Sequence, residues 1–387
     1  MKHIIYVSTT MEEEDFKEYL PHWKVALNPS NQNFHNKLIR SIAINNRVDV
    51  ISIRPFSKTM CDIKKLPAYN KTIDSISWHY VEINRSRFKK IINGQRHVNR
   101  LMNSLIQDDS IIIIDTINPA VVHFAKNALK GRDNPIIGVC TDSPSNISGT
   151  NRSYTTYLLK SAQVLSGTIA LTDELNELFN PNNKPSLIME GIVEKSAKIS
   201  QIDAKKPYFY FGGALMKQYG IYQLIEAFKE INEEYKDLQL YVAGHHANYD
   251  ELNKLIDGNN NIHLLGLLPL DKVYGYEKES VANINPRPFS EDLDRYSIPS
   301  KTIEYLTSGV PTISVKNSKL QKIFPEEVVW AKSASKEDLK DAMIKVLTQT
   351  EEQRKAYGEK ARNKVYELYS LTTINKKLNL FFDEIKG

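Results

Sequence analysis

From one end to the other, the chain alternates short runs that are apolar at every position with longer stretches of helical spacing, and few architectures tolerate that order. The first runs are Ile4 to Val7, Val48 to Ile53, Ser110 to Ile114, Ile136 to Cys140 and Gly167 to Leu171. Helical spacing falls around Phe34 to Ile44, Arg85 to Leu105, Ala120 to Leu129 and Asp173 to Phe179. A strand without a polar face has to be covered on both sides, which calls for a parallel sheet between two layers of helices. After Lys205-Lys206-Pro207, which reads as a linker, a second series begins with strands at Tyr208 to Phe211, Leu238 to Val242, Ile262 to Leu265, Ala282 to Asn285, Pro311 to Val315 and Val328 to Trp330. At 387 residues the chain is longer than one core can use. The expectation is an α/β protein of two Rossmann-like domains facing across a cleft, over residues 1–204 and 205–370, with an amphipathic helix at 371–387 that packs back on the first. The Gly-x-Gly-x-x-Gly fingerprint is missing, so dinucleotide binding has no support.

Chemistry concentrates between Asn283 and Val315, which reads as strand, polar loop, helix and strand. Ser297 suits a helix cap and Pro299 a first-turn position, where its missing N–H would have no partner. Lys301, in that first turn, is disfavoured by the helix dipole unless an anion sits nearby; the plainer reading is a solvated lysine. Glu304 follows three residues on, before a tight exit through Thr307-Ser308-Gly309-Val310-Pro311.

The run Ser300-Lys301-Thr302-Ile303-Glu304-Tyr305-Leu306-Thr307-Ser308-Gly309-Val310-Pro311 resembles the donor-site signature of GT-B glycosyltransferases, in particular the retaining group 1 or GT4 family. That pattern has two glutamates with seven residues between them. Glu304 matches the second, which in the family holds the nucleotide ribose, while Tyr296 stands where the first would be. Arg295 to Lys301 is similar to a subgroup from bacterial surface-polysaccharide clusters with a Ser-x-Pro-Ser-Lys element. The resemblance implies a C-terminal nucleotide-sugar-binding domain and an N-terminal acceptor-binding domain. It further implies transfer of a sugar, with retention, from a nucleotide-sugar donor to an acceptor hydroxyl.

Further candidates follow on that footing. Gly212 and Gly213 follow the first strand of the second series, where a glycine pair lets the backbone approach a phosphate and Lys217 supplies charge. The register matches the family's Gly-Arg-Leu…Lys-Gly loop with its arginine absent, for which Arg287 and Arg295 are natural substitutes; two exposed loop arginines are the alternative. Gly266, in Ile262-His-Leu-Leu-Gly, falls where the family's backbone meets the nucleobase, with Tyr296 and Ser300 completing the donor set. Catalysis would rest on Lys301 and on Asp142, in Thr141-Asp-Ser-Pro144 at the end of a buried strand, where a carboxylate can accept or orient the acceptor proton. A cap on the next turn is the competing role for Asp142. Asn28 to His35 corresponds to the family's first strand-to-helix loop, with Asn31 as the acceptor contact. His245 and His246 follow a strand end, and a solvated or capping role suits them better than catalysis.

Composition excludes more than it assigns. A net charge of +5 is too mild for a nucleic-acid partner yet compatible with an anionic donor or membrane surface. Cys61 and Cys140 have no metal or redox spacing, and no run reaches the roughly 20 apolar residues of a span. No cofactor and no metal are expected, and the cytoplasm is the simplest compartment. The Arg85 to Arg100 stretch carries six basic residues among apolar ones, with Phe88, Ile91, Ile92 and Val98 expected on one side. It suits either peripheral contact with anionic lipid at the inner face of the plasma membrane or a solvated helix that Gly94 interrupts. The expected partners are a nucleotide-sugar donor, probed first as UDP, and a glycan or lipid-linked glycan acceptor in capsule or exopolysaccharide synthesis. The rival is a catalytically silent GT-B subunit that stabilises a partner transferase, suggested by the missing glutamate and arginine.

Overall fold

The computed structural model describes residues 1–23, 29–56, 60–61, 63–84, 86–145, 152–195, 199–245 and 249–386, with the backbone alone at 29, 87–90 and 292–293. Its contacts divide the chain into two units, one of Met1–Ile192, Arg295–Ser297 and Leu371–Gly387, the other of Val193–Asp294 and Ile298–Ser370.

The first unit is built on eight strands in the order Ser186–Ile188, Gly167–Ala170, Ile136–Cys140, Ile111–Asp115, His3–Ser8, Arg47–Ser52, Ile76–Tyr80 and Tyr69–Ile73. All neighbours are parallel except the last pair, an antiparallel hairpin. As the apolar runs require, the central strands are buried on both faces, with Ile4 to Tyr6 and Ile111 to Ile113 wholly covered. No strand is expected from sequence between Ile53 and Ser110, yet the hairpin lies there. Its two-residue turn, Asp74-Ser75, takes φ of 49° and 68°, the left-handed geometry that matches strand twist. Its inner strand alternates Ile76, Trp78 and Tyr80 inward with Ser77 and His79 outward, a period of two rather than an apolar run.

The helix Leu371–Lys386 belongs to this unit. Asn375 donates to the Ser41 carbonyl at 2.8 Å, Ser41 donates to the Leu371 carbonyl at 2.7 Å, and Ile374, Leu378 and Phe382 are buried. A β-carbon on Gly167 would meet Ile385 at 2.4 Å, the Pro185 carbonyl oxygen at 2.8 Å and Phe381 at 3.1 Å, so glycine there leaves room for the helix.

The second unit is a six-stranded, all-parallel sheet in the order Ile262–Gly266, Gln239–Ala243, Tyr208–Gly212, Ala282–Asn285, Thr312–Val315, Val329–Ala331. Its core gathers Phe209, Phe211, Leu224, Phe228, Leu240, Ile284 and Ile313. Among the parallel strands of each sheet the order reverses once. In the first unit this falls between His3–Ser8 and Ile111–Asp115, in the second between Tyr208–Gly212 and Ala282–Asn285. Ligands of such sheets bind outside the carboxyl ends at that reversal.

Candidate active site

At the reversal of the second sheet, Gly212 ends one strand and Asn285 ends its neighbour. The helix Ser300–Leu306 packs against this edge through Thr302, Ile303, Tyr305 and Leu306. Its cap position is Pro299, which has no side-chain cap of its own. Tyr305 is fully buried and grips the strand end twice: its hydroxyl oxygen accepts from the Gly212 N–H at 2.9 Å and its O–H donates to the Gly212 carbonyl at 3.2 Å. A methyl group on Gly212 would meet the Tyr210 hydroxyl at 2.7 Å, so glycine there keeps room for that ring.

Lys301 and Glu304, one turn apart, form an ion pair at 2.9 Å, and the ammonium lies 6.0 Å from the centre of the Tyr305 ring. The Lys301 side chain keeps about a third of its surface exposed. Desolvation is the largest influence on its proton affinity and lowers it, but Glu304 and Glu277 outweigh that and hold the ammonium above the ordinary lysine range. Glu277, 1% exposed, lies in the helix Leu270–Glu279 and also acts on Tyr305 and Tyr210. Burial first, and Glu277 after it, raise the Tyr305 hydroxyl far above the usual phenol value, so it stays a neutral donor. The site is thus a fixed cation among buried phenols and carboxylates.

A second chain of contacts ties the same helix to both flanking strands. Asn285 donates to the Thr302 hydroxyl at 2.9 Å, and Thr302 and Ser314 share a hydrogen bond at 2.9 Å. A small cavity opens beside it, lined by Asn285, Arg287, Asp294, Ser314, Lys316 and Asn317. Arg287 pairs with Asp294 at 3.5 Å, and Asp294 accepts from the Ser290 N–H at 2.8 Å.

The glycines of this edge stand close together. Gly213 donates to the Ala243 carbonyl at 2.9 Å, and Gly244, at φ 143°, donates to the Gly266 carbonyl at 2.7 Å. A β-carbon on Gly244 would sit 1.7 Å from the Gly213 carbonyl oxygen. Gly220, at φ 80°, abuts the Pro286 carbonyl, beside Arg287. Lys217 is exposed in a single 3₁₀ turn with its ammonium 6.0 Å from the Tyr222 ring centre. Ser300 is exposed at the helix start. Arg295 and Tyr296 group with the first unit: the Arg295 carbonyl accepts from Thr172 at 3.2 Å, and its guanidinium lies 5.3 Å from the Tyr296 ring centre.

In the first unit Asn31 lies in the helix Pro29–Ala43, not in a loop. Pro29 explains the earlier start, since proline is preset for a first helical turn. The Asn31 amide oxygen accepts from the Thr141 hydroxyl at 3.1 Å, which brings it beside Asp142, whose carboxylate accepts from the Ser143 N–H at 2.7 Å. Asn28 and His246 lie outside the described residues, and His245 is exposed. The helix Arg87–Leu105 runs through Gly94 without a break, because that glycine packs against the Phe124 ring. Ile91 and Ile92 are 44% and 50% exposed while Val98 is buried, so the apolar residues do not share one side; the Phe88 side chain and Arg85 lie outside the described residues.

Sequence reasoning gave no role to Glu277, Tyr210 and Ser314, and quoted Thr302 and Tyr305 only as part of the signature run. The legible signal was polar residues inside otherwise apolar elements: tyrosines in Tyr-Phe-Tyr-Phe, and Thr302 and Ser314 on buried faces.

Residues 193–364 match the sequence profile of the family described as "Glycosyl transferases group 1". No curated protein matches the chain. Among solved structures, the sucrose-phosphate synthase (tll1590) of Thermosynechococcus elongatus is 11% identical with a TM-score of 0.70, over 100% of this chain and 99% of that one. A trehalose-6-phosphate synthase, described in a study of glycosyl transfer with retention through bisubstrate glycomimetics, is 12% identical with a TM-score of 0.65, over 99% of each chain. An alpha,alpha-trehalose-phosphate synthase (UDP-forming) of Burkholderia xenovorans, in complex with glucose-6-phosphate, is 8% identical with a TM-score of 0.67, over 100% of both. These likenesses establish the GT-B fold.

Proposed function

We propose that this enzyme, a GT-B glycosyltransferase, moves a sugar from a UDP-linked donor to an acceptor hydroxyl with retention at the anomeric carbon. The observation that carries the reading is the Lys301 ammonium, held protonated by Glu304 and Glu277 at the strand-order reversal of the second sheet. Breaking a glycosyl–phosphate bond leaves negative charge on the nucleoside diphosphate, and a preorganised cation stabilises that charge most where it develops. Glu304 would serve the ribose, Gly212 and Gly213 the phosphates, and Gly266 the base, with Arg287 and Lys217 as supplementary charge. Asn31 and Asp142 would meet the acceptor, Asp142 taking or orienting its proton. Protein cations carry the leaving-group charge in this reading, so transfer is expected to persist in EDTA.

The UDP-forming relative and the relative studied for retention support donor and stereochemistry by analogy. The Ser-x-Pro-Ser-Lys element supports a bacterial surface-polysaccharide role, with a lipid-linked glycan as acceptor. Among the described residues no helix is long and apolar enough to cross a membrane. Exposed Ile91 and Ile92, on a helix rich in arginine and lysine, favour contact with an anionic bilayer. Replacing both by glutamate is expected to abolish co-sedimentation with phosphatidylglycerol vesicles while leaving UDP affinity unchanged; unaltered sedimentation would remove the membrane from the proposal.

Thermal shift with nucleotides tests the whole. UDP at 100 times its dissociation constant is expected to stabilise the protein by about 2.7 kcal/mol, and GDP at equal concentration by less. The silent-subunit rival, favoured by Tyr296 in place of a glutamate, predicts no shift with any nucleotide and no donor hydrolysis.

A further inference from the structure

At the strand-order reversal of the first sheet lies a buried cluster that the proposed chemistry does not use. His35, in the helix Pro29–Ala43, is wholly buried, and its Nδ1 meets the Tyr6 hydroxyl at 2.5 Å. Its other ring nitrogen, Nε2, points to Oδ2 of Asp115 at 3.9 Å. Asp115 ends the strand Ile111–Asp115 and is 1% exposed; its Oδ1 accepts from the Ile117 N–H at 3.1 Å. Neither His35 Nε2 nor Asp115 Oδ2 has a hydrogen-bond partner. Two such atoms facing each other, sealed from water, are costly as long as both stay unpaired; at 3.9 Å they are not hydrogen-bonded, and one proton held across a slightly shorter gap would satisfy both.

Among the described residues, the other titratable groups facing Asp115 are neutral. They are Tyr6 on the adjacent strand, Cys140 on the next, whose thiol burial pushes up to about 12, and Tyr154 on the helix Arg152–Ser161. Asn31 lies four residues before His35, one turn away on the same helix face, and bonds Thr141 beside Asp142.

We propose that His35 and Asp115 are a positioning pair that holds one proton between them and so seats the helix carrying Asn31 on the acceptor side of the first sheet. The pair stands on the burial and facing of these two unpaired atoms; its link to the acceptor rests on the proposed function.

Burial lowers His35 to about 3 and raises Asp115 to about 7. The folded pair therefore binds one proton from about pH 3 to 7. Unfolded, the two groups also bind one proton between the ordinary aspartate and histidine values, 3.8 and 6.5. Their contributions to the slope of stability with pH cancel over that window. Removing one partner uncovers the other. With Asp115→Asn, the depressed histidine makes stability fall as pH drops from 6.5 towards 3. With His35→Gln, the raised carboxyl makes it fall as pH rises from 3.8 towards 7.

The experiment is the urea midpoint between pH 4 and 7 for the full chain, without nucleotide. Carrying it out in a Trp330→Phe background leaves Trp23 and Trp78, both in the first unit, as reporters. Relative to the double variant Asp115→Asn/His35→Gln, the parent should run parallel, Asp115→Asn should climb with pH, and His35→Gln should decline. Single variants that both run parallel to the double variant would overturn the proposal. Should a variant fail to fold, ¹⁵N-histidine NMR of the parent decides: His35 should remain neutral at pH 5, and a ring titrating near 6.5 would refute the pair. For the positioning role, the protection of amides in residues 29–43 against hydrogen exchange, taken relative to the intrinsic rate at each pH, should fall above pH 7 in the parent and not in Asp115→Asn. Protection independent of pH in both would leave no such role. A negative nucleotide test would remove the acceptor link while leaving these outcomes unchanged.

Discussion

Replacing Lys301 with alanine is expected to lower turnover about 100 to 1000-fold, the usual cost of losing one preorganised charge donor at a developing anion. The Arg287→Ala change is expected to cost far less, because that guanidinium already faces Asp294 at 3.5 Å. Donor hydrolysis or transfer, measured for both variants, reads the difference; equal and small losses would refute the role given to Lys301. Removing the lysine also leaves the buried Glu277 without the cation it acts on, so a drop in stability should accompany the drop in rate. A Glu277→Gln change added to Lys301→Ala should recover stability without recovering turnover. That separation distinguishes a chemical role from a structural one.

The Gly244→Ala change is expected to destabilise the second unit by about 3 to 5 kcal/mol, among the largest effects a single methyl group can have. At φ 143° a side chain is strained before packing is considered, and the added carbon would lie 1.7 Å from the Gly213 carbonyl oxygen. Backbone cannot move aside as a side chain can, so the strand ends at Gly213 and Gly266 must shift with it. Denaturant unfolding or thermal melting of the variant measures the loss, and a change below about 1 kcal/mol would mean that the close approach is not maintained in solution. A Gly258→Ala change is the control: its φ is also positive, at 71°, but nothing lies within contact range of the added carbon.

Strand and helix order could be read from the chain because fully apolar runs such as Ile111 to Ile114 have no fate but a covered parallel strand. The hairpin at residues 69–80 escaped because its signal is alternation, with Lys71 and His79 in positions that look polar throughout when read as a run. The Lys301 and Glu304 pair was legible as a spacing of three on one helix. Glu277 was not, since nothing local marks a glutamate in Tyr-Glu-Lys-Glu as the one the fold will bury. Distant pairings of this type, like Asn31 with Thr141 across 110 residues, depend on chain topology rather than on local pattern.

The first unit is not continuous along the chain: residues 371–386 complete the surface that Gly167 and Ser41 leave open. A nascent polypeptide therefore finishes its later half first. At roughly 5 to 20 residues per second, the earlier half waits on the order of 10 to 40 s for its last helix to leave the ribosome, with apolar surface uncovered in the meantime. Chaperone demand during translation should accordingly fall on the part of the molecule that is made first.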